Sequence, residues 1–462
     1  MSIRALASMV CLLCSVSLAD DWSRFRGPNG SGILETEGLP TTFGPDTQLA
    51  WKTEVPFGSS SPVIFAGHVF LTAADEDALI VVCLDEVSGE VLWRKEILRA
   101  RQDETFKMSD SAIPTPTADA DGVYAFFPEF GLVAYDHQGR LRWSHALEPF
   151  VSFYGMASSP VLTDEALILL CDQQKGSYLL AVDKASGKVR WRQDRARIEC
   201  WTTPVLWPAA EPTQLLVFGS FFVDGYDLES GEHQWEVGGF GYTPVPSPTL
   251  GDSVLYTCVP YHAEHPLPGF EDLAKAMDQN KDGLLSKAEV QGELGEHFGW
   301  ADGNQDEQID AAEWKFVNDG MSSKDFGLVA LDLKADGPAT ERWRFKKSLP
   351  SIASPLLYQG VLYLVKHGGI VTALNPENGE ELKRERLGTT GDCFPSPVAS
   401  DDKIFVATSS GEVAVLEAGA DWKVLAKNDI GEEIIATPAI GSGRLIIRTK
   451  QSLMCFGAAS GQ

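Results

Sequence analysis

The sequence predicts an all-β protein: an eight-bladed β-propeller of four-stranded antiparallel blades, with a small α-helical insert in its fifth blade. Three observations carry that expectation. A Ser/Thr-Pro pair returns eight times along the 462 residues, the same run of apolar strands follows each return, and a single interval is far longer than the rest.

The pairs are Ser61-Pro62, Thr115-Pro116, Ser159-Pro160, Thr203-Pro204, Ser247-Pro248, Ser354-Pro355, Ser396-Pro397 and Thr437-Pro438. Successive prolines lie 54, 44, 44, 44, 107, 42 and 41 residues apart. A fixed period of this length, with several short strands per unit, is the mark of a propeller blade. Each unit opens on a short strand such as Val63-Ile64-Phe65 and continues with a second such as His68-Val69-Phe70-Leu71. A third ends in an apolar-Asp pair: Leu84-Asp85, Tyr135-Asp136, Val182-Asp183, Tyr226-Asp227 and Leu331-Asp332. A Gly turn follows (Gly89, Gly139, Gly187, Gly231), then a fourth strand carrying Trp93, Trp143, Trp191, Trp235 or Trp343. The Asp can cap the turn, Gly accepts the positive φ there, and the flat indole suits the space between blades. So regular a spacing marks these tryptophans as packing residues rather than catalytic ones. In the later units Asn375 and Glu417 stand in the Asp slot, and Lys383 and Leu425 in the Trp slot.

The eighth unit, from Thr437 to Phe456, stops before any Trp. The strand 49–55 near the N-terminus, with Leu49-Ala50-Trp51, supplies the missing fourth strand and would close the ring, leaving no free edge. The expected layout is then a signal peptide at 1–19, an extension at 20–48, a propeller at 49–462 and an insert at 263–325.

The export signal rests on Arg4, the apolar run Met9 to Leu18, and small residues at Ser17 and Ala19, with cleavage before Asp20. No other segment is long and apolar enough to span a membrane. A periplasmic or extracellular location is therefore expected. With 65 acidic against 38 basic residues the net charge is −27, a field that repels nucleic acid and anionic lipid, and no nucleic-acid partner is expected. Outside the signal the six cysteines, Cys83, Cys171, Cys200, Cys258, Cys393 and Cys455, stand singly. That spacing argues against zinc ligation or a redox dithiol. Cys83 and Cys455 share a repeat slot, so a disulfide between them stays open beside buried free thiols.

The long fifth interval holds the specific chemistry. Residues 278 to 289 place Asp278, Asn280, Asp282, the Leu284 carbonyl, Ser286 and Glu289 at the ligand positions of an EF-hand calcium loop, with Gly283 at the bend. A second loop at 302 to 313 offers Asp302, Asn304, Asp306, the Gln308 carbonyl, Asp310 and Glu313. Glu307 replaces its bend glycine, at a cost on the order of 1 kcal/mol. One strong and one weaker calcium site are expected. Leu285 and Ile309, apolar at position eight of each loop, would pack together. Phe270, Leu273, Met277, Trp314 and Phe316 would form a small core. Twelve carboxylates against three lysines between residues 271 and 313 would repel one another without metal.

The repeat grammar resembles the quinoprotein (PQQ-like) propeller family, and Trp22-Ser23-Arg24-Phe25-Arg26-Gly27-Pro28-Asn29 resembles the leader of exported propellers of that type. The resemblance implies the propeller fold and covers residues 20 to 458 apart from the insert. It leaves activity open, since the same repeats occur in pyrroloquinoline-quinone dehydrogenases and in the propeller lipoprotein of the outer-membrane barrel assembly machinery. Those dehydrogenases use adjacent cysteines and an axial calcium. This chain has no Cys-Cys pair, so the quinone is not expected here. No HExxH, GxSxG, GxxxxGK[ST] or post-strand GxGxxG motif is present, and no catalytic residue is assigned.

The loops before each Ser/Thr-Pro pair should line the channel with Asp110, Tyr154, Met156, Glu199, Trp201, Tyr242, Asp392 and Glu433. The expected function is that of an exported calcium-binding protein with a binding or scaffolding role. Its ligand, a protein or a carbohydrate, would sit at the propeller face or channel. A quinoprotein-like oxidoreductase acting on alcohols or sugars is the alternative.

Overall fold

The computed structural model describes residues 21–102, 109–152, 154–242, 244–260, 267–296, 298–302, 306–321 and 325–458, so the signal segment 1–19 lies outside the described residues. Eight four-stranded antiparallel sheets are arranged as blades. Blade 1 runs Val63–Phe65, His68–Ala74, Ala78–Asp85, Val91–Leu98, and each later Ser/Thr-Pro pair opens another sheet of the same order. In the eighth sheet the strands Ala439–Gly441, Arg444–Arg448 and Ser452–Phe456 are joined by Leu49–Glu54, with Trp51 opposite Cys455 and Glu54 opposite Ser452. The first and last strands of the ring thus share one sheet.

The middle strands of a blade are covered on both faces. Ala78–Asp85 and Gly122–Phe127 are therefore buried almost throughout, where a one-sided sheet would alternate. The core accordingly sits between blades. Phe70 and Val81 of blade 1 pack with Val123 and Phe127 of blade 2, and the layer is repeated around the ring. Outer strands such as Val91–Leu98 face solvent and alternate.

The turn chemistry explains the repeat. Asp85 Oδ1 accepts hydrogen bonds from the N–H groups of Val87 and Ser88 at 3.1 and 2.7 Å, and Asp227 accepts from Ser230 in the same way at 2.8 Å. Each Gly turn then receives the indole of the preceding blade. A Cβ on Gly139 or Gly187 would fall within 3.0 Å of the rings of Trp93 and Trp143. Those indoles donate Nε1–H to the carbonyls of His137 and Lys184, at 2.9 Å each. Trp51 closes the circle on blade 1 with a 3.0 Å bond to the Glu86 carbonyl. In blade 6, Lys383 takes the Trp slot and reaches the Trp422 carbonyl at 2.7 Å, its ammonium 4.8 Å from that ring. Trp235 departs from the pattern: it lies against Gly225 of its own blade and bonds Gln214.

All six described cysteines are free and buried. Burial pushes the thiols of Cys83 and Cys455 up to about 12, so neither is a reactive thiolate.

Candidate functional site: the axial cup and the acidic insert

The Ser/Thr-Pro pairs meet at the axis. The Ser61 N–H donates to Thr115 Oγ1, Thr115 to Ser159, Ser159 to Thr203 and Thr203 to Ser247. The chain of bonds continues through Ser354, Ser396 and Thr437 and returns to Ser61, every distance between 2.8 and 3.1 Å. Each hydroxyl thus satisfies one backbone donor of a neighbouring blade at a depth where water cannot serve all of them. Proline next to it needs no donor of its own.

Residues 22–34 seal the channel one layer below this ring. The carbonyls of Trp22 and Ser23 accept from Ile64 and Ala118 at 2.9 Å, and the Asn29 amide pairs with both backbone groups of Leu206. The Gly32 carbonyl accepts from Ala399 at 2.8 Å. The inner edges of blades 1, 2, 4 and 7 are thereby satisfied by a single segment. Gly27 is required there: its φ is +65°, and a Cβ would sit 2.6 Å from the Trp22 ring. Arg24 donates to the Pro204 carbonyl at 2.7 Å and Arg26 to the Pro355 carbonyl at 2.5 Å. Both guanidinium groups are buried, and burial pushes them down to about 10 and about 9.

What remains above the floor is a cup of about 900 Å³, open at one end. Phe25 forms its base, the eight hydroxyl residues its lower wall, and Tyr154, Trp201, Tyr242 and Phe394 its aromatic upper wall. Tyr154 and Trp201 meet edge to face at 5.5 Å, and the Trp201 indole is fixed by a 2.8 Å bond to the Gly155 carbonyl. Of the eight loop residues expected at the channel, Asp110, Tyr154, Trp201, Tyr242 and Glu433 line the cup. Met156 instead packs between blades 2 and 3, Glu199 is buried beside Gln174, and Asp392 lies near His367. Long side chains in those loops turn back into the blades when an apolar layer or a polar partner is within reach. The two rim acids are already engaged. Glu433 pairs with Lys450 at 2.7 Å, and Asp110 accepts from Ser59 and from the Ala112 N–H.

The insert is rooted between the second and third strands of blade 5, where Val259 pairs with Gly327. Inner strands start at the cup mouth and second strands return to it, so the insert emerges at that end. Helices Phe270–Met277 and Ala311–Met321 flank two loops joined by a short antiparallel bridge, Leu285 opposite Ile309. Both bridge residues are fully buried, with Leu273, Val290, Phe298 and Trp314 around them and Phe270 and Met277 partly buried at the edge. The Phe316 side chain lies outside the described ones.

In the first loop Asp278 accepts from the N–H groups of Lys281 and Gly283, and Asp282 accepts from Leu284. Glu289 folds back to accept from Gln279, Asn280 and Ser286. The Ser286 hydroxyl and backbone N–H hold its carboxyl down at about 2. The second loop repeats this arrangement: Asp302 accepts from Asp306 and Glu307, Asp306 from Gln308, and Glu313 from Asp310. Asn304 lies outside the described residues. Gly283 and Glu307 occupy the same turn at φ +83° and +64°. The donor set is all oxygen, which fits a hard divalent cation. One further cluster, Asp224, His233 and Glu236, has metal-like spacing. Arg197 already bridges both carboxylates at 2.6 and 2.7 Å.

A family model described as outer membrane protein assembly factor BamB matches residues 43–152, 80–239 and 312–462, leaving most of the insert outside. The chain is 22% identical over 434 residues to the outer membrane protein assembly factor BamB of Yersinia pestis, covering 87% of this chain and 96% of that one. Among solved structures, a europium-containing methanol dehydrogenase superposes with a TM-score of 0.61 at 10% identity, covering 95% of this chain and 98% of its own. BamB from Moraxella catarrhalis superposes at 0.54 with 13% identity, covering 89% and 99%. At such identities these structures speak for the fold alone, and they include both an assembly factor and an enzyme. The family match spans well over half of the sequence, and the chain belongs to the outer membrane protein assembly factor BamB family of propellers.

Proposed function

We propose that this protein is an exported, calcium-binding propeller that serves as a binding or scaffolding protein of the cell envelope or extracellular space. The observation that carries the reading is the pairing, at one end of the ring, of a preformed one-mouthed cup with an acidic insert of oxygen donors. A sealed floor and an aromatic wall make a recognition site without further rearrangement. Asp278, Asn280, Asp282, the Leu284 carbonyl, Ser286 and Glu289 would hold the tighter calcium. The second loop, strained at Glu307, would hold the weaker one. The family's description as an assembly factor supports a role in binding partners, and the same likeness, with the signal expected at residues 1–19, supports the location.

Calcium titration by calorimetry on the mature chain, alongside Glu289→Gln, tests the metal reading. Two binding events are expected, the tighter one lost in the variant; no heat at millimolar calcium contradicts it. The methanol dehydrogenase likeness keeps a second reading, an oxidoreductase with an axial quinone. A quinone absorbance band retained after reconstitution and gel filtration would favour that reading instead.

A further inference from the structure

The ligand class of the cup follows from where its charges and protons lie. Each of the eight axial hydroxyls already accepts a backbone N–H, and none donates its proton to another of the described residues. All eight line the cup, and all are buried to 5% exposure or less. Eight O–H donors therefore converge on the axis with no acceptor among the described residues to take them. Beneath them, Arg24 and Arg26 are bonded only to neutral oxygens, from Pro204, Pro355, Ser31 and Thr249. Arg448, at the side, bonds only to Ser60, Thr72 and Pro56. The Nε atoms of all three are buried without a partner. Arg24 and Arg26 are buried without a neighbouring carboxylate, while Asp110 acts on Arg448; the two uncompensated cations are costly and make the floor electropositive inside a molecule whose net charge is −27. The rim acids do not cancel this at Arg24 and Arg26, because Glu433 pairs with Lys450, and Asp110 is engaged by Ser59 and the Ala112 N–H and acts on Arg448.

We infer that the cup binds a small organic anion, its carboxylate or phosphate group seated on the hydroxyl ring above Arg24 and Arg26. The apolar part of that ligand lies against Tyr154 and Trp201. Charge-assisted bonds from hydroxyls buried this deeply favour an oxyanion over a neutral amide or a sugar, and an amine is repelled by the floor. The inference rests on the reading of the cup as a binding site and is independent of calcium in the insert.

The test uses the full mature chain and four probes: benzoate, phenyl phosphate, benzamide and glucose, followed by calorimetry and by thermal shift. At least one of the two anions should bind, its affinity falling with added salt, and benzamide should bind about tenfold more weakly or not at all. Benzoate against phenyl phosphate tells which oxyanion is taken. Ala157→Trp, which narrows the cup above the ring, should abolish binding with the melting temperature unchanged. Arg26→Gln should weaken the anions alone by about tenfold. If that variant does not fold, the benzoate-to-benzamide ratio in the unaltered protein remains the readout. Equal binding of benzamide and benzoate, preference for glucose, or no anion binding overturns the ligand class. Binding of any probe that survives Ala157→Trp overturns the cup as the site.

Discussion

Between blades 1 and 2 the side chains of two sheets fill one apolar layer that runs from the hydroxyl ring to the outer indole, and the same layer is repeated around the circle. The insert rests on eight buried side chains, among the described residues, between two loops of carboxylates. The ring is locked by contacts repeated around it: N–H to hydroxyl at the axis, indole on glycine at the rim, and a plug that satisfies inner strand edges, with charged groups such as Arg195 and Asp172 paired inside it. The insert carries a net charge of −9 over residues 271 to 313. Little besides its own N–H groups offsets that charge. One chain thus holds a unit whose contacts are complete within itself and a unit of clustered carboxylates whose stability, on the proposed calcium reading, is tied to a cation.

The largest effect should come from breaking the ring. Trp143→Ala removes a buried indole that spans two blades, and should destabilise the propeller by about 3–5 kcal/mol in chemical denaturation. Calcium affinity of the insert should not change. Trp314→Ala, the counterpart in the insert, should lower calcium affinity and leave the main unfolding transition in place. Smaller is Glu307→Gly, which relieves a side chain held at φ +64°. About 1 kcal/mol is expected, or roughly fivefold tighter binding at the second loop, read from the second event in calorimetry.

The smallest effect concerns pH. The Ser230 hydroxyl and then its N–H hold the Asp227 carboxyl below the ordinary carboxylate value. Its folded pKa is thus lowered, so the turn's contribution is present in full above the unfolded value near 4. It is lost as pH falls through the folded value. Asp227→Asn should lower stability slightly above pH ~4 and leave it nearly unchanged in acid, which flattens the acid limb of the stability curve.

The fold was legible because its signals are local and repeated. Proline, the apolar-Asp pair, glycine and tryptophan each impose a backbone or packing requirement at a fixed offset, and eight copies fix the number of blades. The degenerate slots were legible as positions but not as contacts: Lys383 replaces an indole by reaching a carbonyl and stacking on Trp422, a solution no spacing foretells. The axial hydroxyl ring was hidden in plain view, since each Ser or Thr reads as a turn residue until neighbouring blades are brought together. Arg24 and Arg26 were seen only as part of a leader motif. Their side chains bond to blades 4, 5 and 6, 180 to 329 residues away, and nothing periodic marks it. Two charged residues flanking a phenylalanine, just ahead of a Gly-Pro-Asn-Gly turn, were the available signal.

Hydrogen exchange of the full chain, with and without calcium, tests the contrast between the two units most directly. Metal removal should lower protection within residues 267–321 and leave the strands of all eight blades unchanged. Loss of protection spreading through the ring would contradict it, as would an insert whose exchange does not respond to calcium.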